Sequence, residues 1–223
     1  MFNIKYIVGF FLMLSFFNCK ESSTIEKTSR VAALPFYKEA TFTPHWLEAD
    51  GEEADIIHSI PNFSLVNQLG QEITEKTFED KIYIADFFFT TCPGICPKMT
   101  ANMMVLQDEF INDNDILLLS HSVTPETDSV STLKRYAETK GVNNEKWHLV
   151  TGDRKQIYDL GRQAYFAEED LGVDKTEDDF LHTENFILID KNRHIRGIYN
   201  GLNKTAVQQL IADVKTLQNE NFN

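Results

Sequence analysis

The stretch IADFFFTTCPGICPKMTANMM, Ile84 to Met104, decides how this chain folds. Its first residues close an apolar run, KIYIADFFF (Lys81 to Phe89), of strand length and without alternation, the pattern of a strand buried on both faces. Beyond the run, Ile95, Met99, Met103, Leu106 and Phe110 recur at helical spacing. A buried strand therefore feeds a helix, and Cys92 and Cys96, two of the chain's three cysteines, fall at the junction.

The same strand-then-helix texture continues outward. NFSLVNQLGQEIT reads as a hairpin turning near Gly70, and DILLLSHSV as a second buried strand. Asp128 is expected to cap a helix that turns Val130, Leu133 and Ala137 inward and stops at Gly141. WHLVTG is a short strand, and Asp153 caps a helix carrying Ile157, Leu160, Gly161 and Ala164. NFILID and HIRGIY pair across KNR, and Val207, Leu210, Ile211, Val214 and Leu217 mark a closing amphipathic helix. This order resembles a thioredoxin-like α/β sandwich: a central mixed sheet, an N-terminal arm and hairpin, and an acidic insertion before a histidine-bearing strand. Chemistry in such sheets gathers at the carboxyl ends of parallel strands, where Cys92 and Cys96 lie.

Composition narrows the class. A hydrophobic fraction of 42% with 17 Phe supplies a packed core, and a formal charge of -13 argues against nucleic acid. MFNIKYIVGFFLMLSFFNC has one cation, Lys5, then an apolar run from Tyr6 to Phe17 too short to span a bilayer comfortably. It resembles a bacterial lipoprotein signal in which Cys19 becomes the lipidated first residue. The expected organisation is a signal over 1–19, a polar tether over 20–33 and one domain over 34–223, exported and held at a membrane facing the periplasm. Cys92 and Cys96 would then be the remaining pair, in a compartment where disulfides persist.

Placed at i and i+4 of a helix, two Cβ atoms sit about 5–6 Å apart. A disulfide needs about 3.5–4.5 Å, so the turn must tighten to close one. The helix N-terminus favours thiolate, and both thiols are expected to benefit. A staple, a dithiol redox switch and part of a metal site all stay open; a staple across so short a loop would stabilise little. A metal needs a further ligand from the histidines, His45, His58, His121, His148, His182 and His194. His182 precedes TENFILID, the strand expected beside the cysteine-bearing helix, and His121, ending the neighbouring strand, is its rival. Two thiolates and an imidazole fall short of structural zinc, but soft sulfur suits Cu(I) and imidazole suits either copper oxidation state.

FFFTTCPGICPKM resembles the Cys-Pro-x-x-Cys-Pro signature of the Sco/SenC copper chaperones. The likeness extends to IPNFSLVNQLGQEITEKTFEDKIYIADFFFTTCP, SVTPETDSVSTLKRYAETKGVNNEKWHLVTGD and HTENFILIDKNRHIRGIYNG. It implies copper on Cys92, Cys96 and His182, delivered to the binuclear copper centre of cytochrome c oxidase. The implied partners are a copper-accepting oxidase subunit or another copper chaperone, met by a monomer tethered to its membrane. Such a carrier is not an enzyme; the alternative is a thiol–disulfide oxidoreductase that cycles a Cys92–Cys96 disulfide against partner cysteines or peroxide. Leu181 departs from the family, which often has Asp immediately before the histidine. The acidic segment AEEDLGVDKTEDDFL (Ala167 to Leu181) is either a solvated loop or a docking surface for a basic partner. Asp86 stands six residues before Cys92, where thioredoxins carry a buried acid that assists proton transfer; the alternative is a carboxyl simply hydrogen-bonded at a strand end. Met99, Met103 and Met104 are read as core.

Overall fold

The computed structural model describes residues 28–48, 51, 53, 56–170, 172 and 179–220. The expected signal segment with Cys19, most of the expected tether and part of the acidic segment lie outside the described residues. Strands β1 (Ser64–Asn67) and β2 (Glu72–Thr74) form the first hairpin, with Gly70 at φ 76° making the turn. Strand β3 (Ile82–Phe88) is buried along its whole length and leads into helix α1 (Cys96–Glu109). Then follow β4 (Ile116–Ser122), α2 (Val130–Lys140), β5 (Trp147–Thr151) and α3 (Arg154–Asp159), which widens into a π-helical turn at Leu160–Ala164. Strands β6 (Asn185–Ile189) and β7 (Ile195–Asn200) form the second hairpin, and α4 (Lys204–Leu217) closes the fold.

Seven strands make one mixed sheet in the order β2-β1-β5-β4-β3-β6-β7. The three central strands, β5, β4 and β3, run parallel, and β6 lies antiparallel against β3. The sandwich read from the sequence is therefore the architecture observed. Each sheet face has its own core. Ile82, Ile84 and Phe88 pack with Met99, Met103 and Leu106 of α1 and Leu210 and Val214 of α4. Tyr83, Ala85 and Phe87 pack on the other face with Leu117, Leu119, Leu160 and Tyr165. Met99 and Met103 are thus core residues, as their spacing indicates.

The closing stripe Val207, Leu210, Ile211, Val214 and Leu217 is buried, and Asn203 caps its helix by accepting from the N–H groups of Thr205 and Ala206. The N-terminal arm is fixed by charge as well as packing. Arg196, 1% exposed, pairs with Asp190 at 3.2 Å and Glu220 at 2.7 Å and donates to the carbonyls of Leu34 and Pro35. The end of the expected tether is docked too: Ser29 donates to Asp213 at 2.6 Å.

One cap differs from expectation. Ser129, not Asp128, accepts from the Thr132 N–H at the start of α2, and Gly141 at φ 79° ends that helix. Asp128 has a different task, which brings it to the cysteine loop.

Candidate metal centre

The chain leaves β3 through Phe89, Thr90 and Thr91 before reaching Cys92. Asp128, fully buried, anchors this exit. Its carboxylate accepts from the Thr90 N–H at 3.1 Å and the Thr90 hydroxyl at 2.5 Å. It also accepts from the hydroxyls of Ser122 (2.6 Å) and Thr124 (3.2 Å), tying the ends of β3 and β4 together. A cap predicted from local chemistry is here a long-range clamp.

Helix α1 begins only at Cys96, so Cys92 sits in the turn before it and the i, i+4 helical geometry does not describe the pair. Ile95, at the N-cap, makes no side-chain cap, and Pro97 in the first turn has no N–H. Burial alone would raise the Cys92 thiol, but the Cys96 N–H and S–H and the N–H groups of Gly94 and Ile95 together outweigh burial and hold it below its ordinary value. Cys96, 4% exposed, goes the other way: burial pushes its thiol up to about 12, and the neighbouring Cys92 thiolate and the charge of Asp86 add to the shift. Both are free thiols. The expectation that both thiols benefit from the helix end is corrected: the thiol of Cys92 is lowered, while burial raises that of Cys96.

Behind them Asp86 faces the α1 side of the sheet, where the Ser120 hydroxyl donates to its carboxylate. Ser120 in turn accepts from the Trp147 indole N–H at 2.8 Å. Burial raises the Asp86 carboxyl from 3.8 to about 7, with the Ser120 hydrogen bond opposing the shift.

The two candidate histidines separate by face. His121 is fully buried on the side away from α1, stacked on Phe87 at 4.7 Å and edged by Tyr165 and Phe63. Burial depresses its imidazole to about 4, and its Nε2 has no hydrogen-bond partner among the described residues. It is a neutral core residue, with the sheet between it and Cys96. His182 lies ahead of β6. Continuing the β3–β6 register beyond Ala85 and Ile187 brings position 182 level with Thr90. Phe180 meets Phe89 edge-to-face at 5.3 Å, which pins the His182 segment beside the cysteine loop, and the His182 side chain is exposed. Among the described residues, however, no three His, Cys, Asp or Glu side chains are gathered closely enough to hold a metal ion. The described backbone thus sets the His182 segment at the end of β3 from which the cysteine loop leaves, and the three side chains are not gathered around a point.

The remaining histidines have structural partners: His58 with the Ala164 carbonyl at 2.7 Å, His148 near Asn67 at 3.4 Å, His194 with Asp190 at 3.5 Å and His45 with Glu39 at 3.5 Å. Sequence reasoning missed two contributors. Asp128 was hidden because Asp128 and Ser129 are both good caps, and Arg162, discussed below, showed only as a lone cation ahead of an acidic run.

Fold and site together define a thioredoxin-like protein with two free cysteines just beyond the end of a buried strand. The family model SCO1/SenC matches residues 51–219, and the chain belongs to that family. A curated relative, the SCO1 protein homolog of Bacillus subtilis, is 30% identical over 161 residues, covering 71% of this chain and 82% of the relative. Among solved structures, a SCO1/SenC family lipoprotein from Bacillus anthracis matches with TM-score 0.63 and 31% identity over 72% of this chain and 95% of that one. BsSco, a member of the Sco family of cytochrome c oxidase assembly proteins in which a disulfide switch was identified, matches with TM-score 0.62 and 28% identity over 74% and 95%. Bradyrhizobium japonicum ScoI with copper bound shares the fold, with TM-score 0.56 and 22% identity over 72% and 99%.

Proposed function

We propose that this protein is a copper carrier for respiratory oxidase assembly: Cys92, Cys96 and His182 take one copper ion as cargo and pass it by ligand exchange to a copper-accepting oxidase subunit. The reading is supported by two free thiols just beyond β3 and by an exposed His182 whose segment Phe180 holds against Phe89. The donors suit the ion, since thiolate selects Cu(I) and imidazole tolerates both oxidation states. Ligands that are not gathered in advance suit a carrier, because such a site can reopen to an incoming ligand. Copper-bound relatives on the same fold, and the oxidase-assembly role of BsSco, support it. The proposal includes an exported domain, working as a monomer and anchored through Cys19.

Cys96 must lose its proton when two thiolates bind, so uptake releases protons and strengthens as pH rises. Oxidising the pair to a disulfide removes both sulfur donors and would gate loading.

A second reading rests on the thiol asymmetry. In thiol–disulfide exchange the Cys92 thiolate attacks a partner disulfide and forms a mixed disulfide, releasing one partner thiolate. Cys96, deprotonated, then attacks Cys92; the Cys92–Cys96 disulfide forms and the second partner thiol leaves, two electrons having moved to the partner. His182→Ala separates the two readings. Under copper carriage it abolishes tight Cu(I) uptake by the reduced protein, measured by competition with a chromophoric chelator, while exchange with a disulfide substrate persists. Unchanged Cu(I) affinity would remove His182 from the site, and failure of the unaltered reduced protein to bind Cu(I) would leave thiol exchange as the function.

A further inference from the structure

The residue before His182 is Leu181, 1% exposed and apolar, so it supplies no acceptor to steady the histidine. The steadying comes from across the acidic segment. Glu168 Oε1 accepts from the His182 main-chain N–H at 3.2 Å, and its Oε2 accepts from Arg162 Nε at 3.3 Å. These two side chains are 12% and 18% exposed, so the pair is largely withdrawn from water. Arg162 Nη2 also donates to the Asp179 carbonyl at 2.5 Å, and its guanidinium lies 5.3 Å from the Tyr158 ring centroid. Within the described part of the acidic segment Glu168 turns inward, while Glu169 and Asp170 are exposed.

Neighbouring contacts fix the described residues at the two ends of the segment. Thr183 Oγ1 donates to the Ala167 carbonyl at 2.5 Å, the Asn185 amide donates to the same carbonyl at 3.0 Å, and the Ala167 N–H donates to the Gly161 carbonyl at 2.8 Å. Leu181 packs so closely on Gly161 that a Cβ there would meet Leu181 Cδ2 at 2.5 Å. From Asp179 to Thr183 each residue is thus fixed by packing or a hydrogen bond, while the imidazole stays at the surface. Hydrophobic anchors at Phe180 and Leu181 set depth but not the orientation of the peptide between them; a directed hydrogen bond to the His182 N–H does that.

We infer that the Arg162–Glu168 ion pair is a positioning brace: it fixes the main chain at His182 and so presents the imidazole to the two cysteines. The consequence for metal rests on the proposed copper reading; the brace itself does not. Outer partners that orient a ligand commonly change metal affinity by about 10–100-fold when removed. Arg162 fixes the Glu168 rotamer, so loss of either charge loosens the same peptide.

The test uses the full reduced chain and the variants Glu168→Ala, Glu168→Gln and Glu169→Ala. Amide hydrogen exchange without metal is read at His182 and, as reference, in β3 and α1. Cu(I) affinity is read by chelator competition and Cys92 reactivity by alkylation rate. The brace predicts exchange at His182 about tenfold faster in Glu168→Ala, with β3, α1 and Cys92 unchanged. It predicts Cu(I) binding about tenfold weaker in that variant, partial rescue by Glu168→Gln, which keeps an acceptor but not the charge, and no effect of Glu169→Ala. Unaltered exchange at His182 in Glu168→Ala overturns the brace, as does faster exchange with undiminished Cu(I) affinity. If the unaltered protein binds no Cu(I), the copper reading is what fails, and exchange at His182 still decides for or against the brace.

Discussion

Replacing Asp86 with Asn should change the stability of this protein in a strongly pH-dependent way. Asp86 is 2% exposed in the central strand, and burial raises its carboxyl from 3.8 to about 7. An unfolded chain ionises this group near its ordinary value, whereas the folded protein holds the proton until about pH 7. Between those values the unfolded state binds fewer protons, so stability falls as pH rises; the contribution is complete below the unfolded value and lost above the folded one. A rise of about three pH units corresponds to about 4 kcal/mol as a ceiling, at 1.36 kcal/mol per unit. Asn keeps an acceptor for the Ser120 hydroxyl and cannot ionise, so the variant escapes this loss. Urea unfolding of both reduced proteins at about pH 4 and about pH 8.5 reads the effect. Asp86→Asn should gain about 2–4 kcal/mol over the unaltered protein at the higher pH and nothing, or a small deficit, at the lower. A stability difference that does not vary with pH would refute the reasoning, because it would mean that Asp86 titrates alike in folded and unfolded states.

Cys92 should alkylate more than about tenfold faster than Cys96 near neutral pH, because the helix-end N–H groups stabilise its thiolate while burial protonates its partner; equal labelling in peptide mass spectra would contradict that asymmetry. Asp128→Ala should cost about 2–4 kcal/mol in thermal or urea unfolding, since it strands the Thr90, Ser122 and Thr124 donors, and a loss below about 0.5 kcal/mol would show that water replaces the clamp.

The strand that carries the site was legible because KIYIADFFF leaves no polar face to put in water. The same completeness hid which side α1 covers. Asp86 and His121 both sit in doubly buried strands, so alternation separates them into faces but cannot say which face the cysteines share. Packing places α1 over Ile84 and Phe88, and that choice makes His121 core and leaves His182 as the ligand candidate. The cysteine spacing was legible as a pair but misleading as geometry. Sequence spacing assumes that the helix already runs at Cys92, while the helix begins at Cys96 and the first cysteine sits in the turn ahead of it.

Local information in the chain determined the element order, the hairpin at Gly70, the stripe of α4 and the presence of a soft-ligand pair at a strand end. Those depend on periodicity and turn chemistry, which act within a few residues. The ionisation of each thiol, the duty of Asp128 and the inward turn of Glu168 toward His182 were decided only by the tertiary structure. Each depends on burial or on a partner distant in sequence, Asp128 standing 38 positions beyond Thr90 and His182 14 beyond Glu168. Solvation and long-range hydrogen bonding exist only once the sheet has brought such groups together.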